Sequence, residues 1–64
     1  MVKINGKALD VAGKTVFDYL FSFGYDFNRV AVELNGDILP KSQYESYILK
    51  DGDSIEIVSF MGGG

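Results

Sequence analysis

The chain has 64 residues, a formal net charge of −3, and neither cysteine nor histidine. A chain of this length holds one domain and buries only roughly 60% of the surface that its unfolded form exposes, which excludes a second domain and disfavours a large pocket. The absent side chains exclude disulfides, thiolate nucleophiles, imidazole bases and the commonest zinc ligands, while the negative charge disfavours binding to nucleic acid.

The first third of the chain predicts a β-hairpin followed by a helix. Two short alternating segments, residues 2–5 and 8–11, flank an Asn5-Gly6 corner, a pair typical of hairpin turns. Thr15, with Asp18 three residues later, predicts the N-cap of a helix that ends at Gly24. The apolar side chains of this helix recur at helical spacing, and we expect them to lie in the core: Val16, Phe17, Leu20, Phe21 and Phe23.

A second hairpin follows a connector over residues 25–29. Residues 30–34 alternate cleanly between apolar and polar side chains and reach a second Asn-Gly pair at Asn35-Gly36. This pattern predicts a third strand that turns into a shorter fourth strand over residues 37–39. Pro40 cannot donate to a ladder and should end that strand.

The last third predicts a helical turn and a final strand. Ser42 and Glu45 have the spacing of a capping box and predict a short helical turn over residues 43–48. A tight turn at residues 51–53 then leads into a last strand over residues 54–60. Alternation along that strand places Ile55 and Ile57 on one face and Glu56, Val58 and Phe60 on the other.

The element order is ββαββ, a short helix, then β, which predicts an α+β domain with one main helix packed on one face of a mixed sheet. The β-grasp (ubiquitin-like) fold is the natural member of this class. In it the first and last strands lie side by side and parallel at the sheet centre, which suits residues 55–58, where three of the four side chains are β-branched. We expect one β-grasp domain over residues 1–61 and a flexible glycine tail over residues 62–64.

The feature that can carry chemistry is the glycine run Gly62-Gly63-Gly64. Glycine has no Cβ, so an extended glycine segment can enter a channel that excludes side chains. The α-carboxyl group of Gly64 has an ordinary pKa of about 3.3 to 3.7 and is therefore ionised and a poor electrophile at neutral pH. Adenylation with ATP would activate it for attack by a sulfur nucleophile. A glycine-rich end is also typical of a frayed terminus, so the tail alone leaves both interpretations open.

The whole chain resembles the ThiS family of thiamine-biosynthesis sulfur carriers. The resemblance rests on residues 2–6, on the helix start at Thr15-Val16, and on three longer segments: residues 30–40, residues 49–58 and residues 62–64. The Asn35-Gly36, Gly52-Asp53 and Gly63-Gly64 placements are specific only in combination.

The resemblance implies that Gly64 is adenylated and converted to a thiocarboxylate, which donates its sulfur to thiazole formation. Gly62 and Gly63 would thread the site of the partner protein, and Phe60, Met61 and Val58 would dock beside it. The implied partners are a ubiquitin-activating-type adenylating enzyme that uses ATP and Mg, thiazole synthase, and a sulfur-donating protein. The chain itself is expected to bind no cofactor and no metal, and not to be an enzyme.

Other expectations concern the surroundings of the chain. No apolar signal-peptide stretch precedes the first predicted strand, so we expect a cytoplasmic protein that does not enter a membrane and is a monomer when free. Asp51, Asp53 and Glu56 could form an acidic rim for a basic partner, or simply a solvated surface. The alternatives are a molybdopterin-type sulfur carrier, a ubiquitin-like protein modifier, and a non-carrier β-grasp binding module.

Overall fold

The computed structural model describes residues 1–60, which form a five-stranded mixed sheet with one α-helix across one face. The elements are β1 (Val2–Ile4), β2 (Lys7–Leu9), α1 (Val16–Ser22), a 3-10 turn (Phe27–Arg29), β3 (Val30–Leu34), β4 (Asp37–Leu39), a second 3-10 turn (Lys41–Gln43) and β5 (Ser54–Ser59). The strand order is β2-β1-β5-β3-β4, with β1 and β5 parallel and the other pairs antiparallel. This arrangement confirms the predicted β-grasp architecture.

Both predicted hairpins close through two-residue Asn-Gly loops. Asn5 and Gly6 have φ angles of 51° and 85°, and Asn35 and Gly36 have φ angles of 52° and 92°. A type I′ turn requires positive φ at both central residues, and Asn and Gly are the residues that adopt it at least cost. The two turns therefore fix the register between β1 and β2 and the register between β3 and β4.

The helix begins after the predicted N-cap, Thr15, which forms a capping box with Asp18, but it buries fewer aromatic side chains than predicted. The Thr15 hydroxyl accepts from the Asp18 backbone N–H at 3.0 Å, and the Asp18 carboxylate accepts from the Thr15 N–H at 3.3 Å. The prediction that Phe21 and Phe23 lie in the core is wrong, because both are exposed, and Phe17 is only partly buried. Two helical turns present one narrow stripe to the sheet, and its buried residues are Val16, Tyr19 and Leu20.

The turn after β4 also differs from its prediction. It spans Lys41–Gln43 rather than residues 43–48, and Pro40 occupies its N-cap position without a side-chain hydrogen bond. The predicted capping box at Ser42 is therefore wrong. Proline sets the backbone conformation in which the turn starts, so the turn begins directly after β4 and leaves Ser42 inside it.

The core lies between α1 and the inner face of the sheet. Its buried side chains come from every strand except β2, from α1 and from the segment before β5: Val2, Ile4, Val16, Tyr19, Leu20, Val30, Val32, Leu39, Tyr44, Leu49, Ile55 and Ile57. Alternation along β5 follows the prediction, with Ile55 and Ile57 buried and Glu56 and Val58 exposed. Within residues 1–60, no helix has the length and apolar character needed to cross a membrane.

Candidate functional site

The candidate site is the end of β5, the central strand, from which the glycine tail follows. The backbone is fixed as far as Phe60: Ser59 pairs with Val30 of β3, and the Phe60 N–H donates to the Arg29 carbonyl oxygen at 2.7 Å. The predicted sulfur acceptor Gly64, the predicted threading residues Gly62 and Gly63, and Met61 lie outside the described residues. The structure therefore defines the platform that carries these four residues.

Asn5 holds β5 on its β1 side, a role that the sequence analysis did not assign to it. The register between β1 and β5 covers only two residue pairs, the last of them Ile4 with Ile55. Beyond that point the Asn5 backbone N–H donates to the Ile55 carbonyl oxygen at 2.9 Å. The Asn5 Oδ1 accepts from the Ile57 N–H at 2.7 Å, and its Nδ2 donates to the Ile57 carbonyl oxygen at 3.3 Å. One side chain thus replaces a missing strand residue and extends the pairing of β5 toward the tail.

Asn35 holds the start of β5 on its β3 side. Its Oδ1 accepts from the Ser54 N–H at 2.8 Å, and its backbone N–H donates to the Ser54 carbonyl oxygen at 2.8 Å. Its Nδ2 donates to Asp53 Oδ1 at 3.1 Å. Asn35 therefore links the turn between β3 and β4 to the residue that precedes β5.

Asp53 is buried, at 6% exposure, so the prediction that it lies on an acidic rim is wrong. Besides Asn35, the Tyr47 hydroxyl donates to its Oδ2 at 2.8 Å and the Lys50 backbone N–H donates to the same atom at 3.0 Å. Burial alone would raise the pKa of Asp53, but these hydrogen bonds and the nearby Lys50 charge lower it below its ordinary value. Burial, followed by the hydrogen bond to Asp53, raises the pKa of Tyr47. Asp53 is a structural carboxylate that fixes the entry into β5.

The other two members of the predicted rim are separated. The Asp51 carboxylate pairs with the Met1 ammonium group, on the exposed turn before β5. Glu56 lies on the outer face of the sheet, directly opposite Glu33 of β3. Like charges in a cross-strand pair repel each other and are destabilising. Basic side chains on a partner would reduce the repulsion between Glu33 and Glu56. The sequence could not show it, because the strand register decides which side chains are opposite.

Two of the predicted docking residues, Val58 and Phe60, lie exposed near the end of β5. Val58 is 51% exposed and Phe60 is 58% exposed. Val58 is opposite Ala31 on the outer sheet face, and Ile38 of β4 is exposed on the same face opposite Glu33. The sequence analysis missed Ile38, although alternation along residues 37–39 would have placed it on this face. An apolar strip interrupted by carboxylates thus leads to the root of the tail.

The described residues contain no grouping of acidic side chains that could hold a metal ion. Acidic side chains lie on separate elements rather than around one point: Asp10 follows β2, Asp18 is in the first turn of α1, and Asp26 precedes the first 3-10 turn.

Comparisons with known proteins show which family the chain belongs to. The model of the ThiS family matches residues 2–64. The sulfur carrier protein ThiS of Bacillus subtilis is 43% identical over 68 residues, with both chains covered completely. The crystal structure of the thiamine biosynthesis protein ThiS from Geobacter metallireducens superposes with a TM-score of 0.76, at 34% identity, over 98% of this chain and 97% of that one. A thiazole synthase of Paramagnetospirillum magneticum is 47% identical over 62 residues, but the chain spans only 19% of its length. The chain belongs to the ThiS family.

Proposed function

We propose that the chain is a sulfur carrier of thiamine biosynthesis whose working group is the carboxylate of Gly64. The observation that carries the proposal is the position of β5. This strand is paired on both sides at the sheet centre, and the exposed Phe60 follows directly after it. The family model includes the glycine run, and carriers named ThiS are matched over their whole length.

The chemistry of the proposal takes place at the carboxyl group of Gly64. A carboxylate oxygen of Gly64 attacks the α-phosphorus of ATP, and pyrophosphate leaves to give an acyl adenylate. A persulfide sulfur of a donor protein then attacks the acyl carbon and AMP leaves, which gives an acyl disulfide. A second thiol attacks the donor's own sulfur and breaks this S–S bond, so that a thiocarboxylate remains on Gly64 and the donor is left in a disulfide with that thiol. The adenylating partner, of the ubiquitin-activating type, supplies the ATP and Mg site.

The body of the domain positions the terminus and presents a docking surface. Val58 and Phe60, with Met61 after them, would pack against the adenylating partner, while Glu33 and Glu56 would meet basic side chains on it. Asn5 holds β5 at Ile57, which would keep the docking surface and the end of β5 in a fixed relation. Thiazole synthase would then accept the sulfur-loaded terminus, which enters a channel too narrow for side chains.

The test is the conversion of the terminus itself. The chain is incubated with ATP, Mg, a sulfur source and the adenylating enzyme of the same organism, and its intact mass is measured. We expect one oxygen to be replaced by sulfur, and fragmentation to place the change at Gly64. A matched reaction without ATP should leave the mass unchanged. If the complete reaction leaves the mass unchanged as well, the proposed function is wrong.

A further inference from the structure

An open groove of about 310 Å³ lies on the helix side of the molecule, away from the outer sheet face. Its lining residues are Phe17, Phe27, Lys41, Ser42, Tyr44 and Glu45. The ring of Phe27 stands nearly perpendicular to that of Phe17, with centroids 4.8 Å apart, and to that of Tyr44, with centroids 6.4 Å apart. Three aromatic rings, with Phe27 edge-to-face against the other two, thus form the apolar floor of the groove.

Phe21 continues this aromatic surface beyond the groove. Its ring stacks on Phe17 with centroids 6.1 Å apart, yet the residue is 72% exposed. An exposed large aromatic side chain beside an apolar groove is the composition expected at a protein-binding surface. The groove and Phe21 together form what we call the helix-side patch.

The helix-side patch lies at the same end of the sheet as the root of the tail. Phe27 begins the 3-10 turn whose last residue, Arg29, accepts the hydrogen bond from the Phe60 N–H. Lys41 begins the turn that follows β4, at the end of the sheet where β3 starts and β5 finishes. A protein that receives the residues after Phe60 is therefore brought close to the patch.

The rim of the groove carries one charge of each sign. Lys41 and Glu45 are exposed, and within residues 1–60 neither has a salt-bridge partner within 4.0 Å. The complementary surface is a large apolar side chain flanked by an acidic and a basic side chain. A purely anionic surface would fit Lys41 but be repelled by Glu45, so the pattern favours a protein segment with both charges.

We propose that the helix-side patch is a second docking site, separate from the outer sheet face, for thiazole synthase. This inference rests on the proposed function. The thiazole synthase of Paramagnetospirillum magneticum contains a segment similar to this chain, so that a segment of this kind and the rest of that synthase belong to one polypeptide. The occupant of the groove is a surface segment of the synthase with a large apolar side chain between an acidic and a basic one.

The experiment measures the affinity of thiazole synthase of the same organism for the unmodified chain and for three variants. Lys41→Glu and Phe21→Ala change exposed side chains of the patch and should each weaken binding by about tenfold. Lys7→Glu makes the same charge change on β2, at the opposite edge of the sheet, and should stay within about twofold of the parent affinity. Circular dichroism melts of all variants show that the fold is kept.

The outcomes separate the patch from the proposed function. The inference is overturned if Lys41→Glu and Phe21→Ala bind like the parent chain, if Lys7→Glu weakens binding equally, or if the synthase does not bind the chain. Sulfur acquisition is measured in parallel with the adenylating enzyme, and Lys41→Glu should acquire sulfur like the parent. Failure of the parent chain to acquire sulfur refutes the proposed function, whereas affinity for the synthase decides the patch.

Discussion

At each of the two hairpin turns, one asparagine side chain supplies hydrogen bonds to β5 that a longer neighbouring strand would otherwise supply. Asn5 and Asn35 adopt positive φ, which the turns require, and each also hydrogen-bonds β5 through its side-chain amide. Glycine would satisfy the first requirement but not the second. The Asn-Gly pairs were recognisable in the sequence as turns, but their bonds to β5 join residues 52 and 19 positions apart and depend on the folded register.

At the residue scale, Asp53 gives a prediction about stability. Asp53→Asn keeps the shape of the side chain but removes its charge and places a donor among the donors of Asn35, Tyr47 and Lys50. Hydrogen bonds to a charged group are worth about 1.5 to 3 kcal/mol, so we expect the free energy of unfolding at neutral pH to fall by roughly that amount. Urea denaturation measures it, with the exposed Asp51→Asn as control.

The same substitution should change the response to acid. Because the pKa of Asp53 is lowered in the folded state, its stabilisation is complete above the ordinary value of about 3.9 and is lost as the pH falls through the folded-state pKa. The stability difference between the parent chain and Asp53→Asn should therefore shrink in that acidic range. A difference that is constant with pH would show that the Asp53 charge does not stabilise the fold.

At the scale of elements, strands were predicted better than helical segments. β3 and β4 have the predicted bounds, and β1 and β5 each end one residue earlier than predicted. β2 spans residues 7–9 rather than 8–11, because the turn holds only Asn5 and Gly6. Alternation and Asn-Gly turns are local signals, so these strands could be predicted. The exposure of Phe21 and Phe23 was not predictable from spacing alone, since it depends on how much of a short helix the sheet can cover. The buried position of Asp53 likewise depends on Tyr47 and Asn35, which reach it from other elements.

Phe60 provides the prediction at this scale, because it extends β5 beyond the last ladder pair on the outer face. Phe60→Ala should change the free energy of unfolding by only about 0.5 kcal/mol, since more than half of the residue is exposed. It should weaken binding to the adenylating enzyme by about tenfold or more if Phe60 is a docking residue.

Leu20→Ala is the matched control for a core position. Leu20 has 0% exposure, and its truncation should cost about 2 to 5 kcal/mol. If Phe60→Ala showed a loss in this range with an unchanged affinity, Phe60 would be a packing residue and its assignment to docking would be wrong.

At the scale of the whole molecule, the folded sheet and helix belong to one part of the chain, and the proposed chemistry belongs to the glycine run that follows it. The described core and paired sheet lie within residues 1–60, and the outer sheet face and the helix-side patch lie on different sides of this sheet. The fold follows from local patterns, whereas the chemistry depends on the glycine run, which the sequence shows directly. The two proposed docking surfaces could be predicted only in part, because identifying their residues requires the strand register and the burial of each side chain.

The prediction at this scale concerns the length of the chain. Deleting Gly64, or appending one phenylalanine after it, should abolish sulfur acquisition and leave thermal stability unchanged, because the described core lies entirely within residues 1–60. Each residue of extended chain spans about 3.3 to 3.6 Å, and a misplacement of about 1 Å can already reduce a rate on the order of a hundredfold.

Intact mass after incubation with ATP and the adenylating enzyme measures sulfur acquisition, and circular dichroism melts measure thermal stability. The mass spectrum also shows whether a protease has trimmed the extension. Sulfur acquisition by both altered chains at the parent rate would show that the Gly64 carboxylate is not the working group.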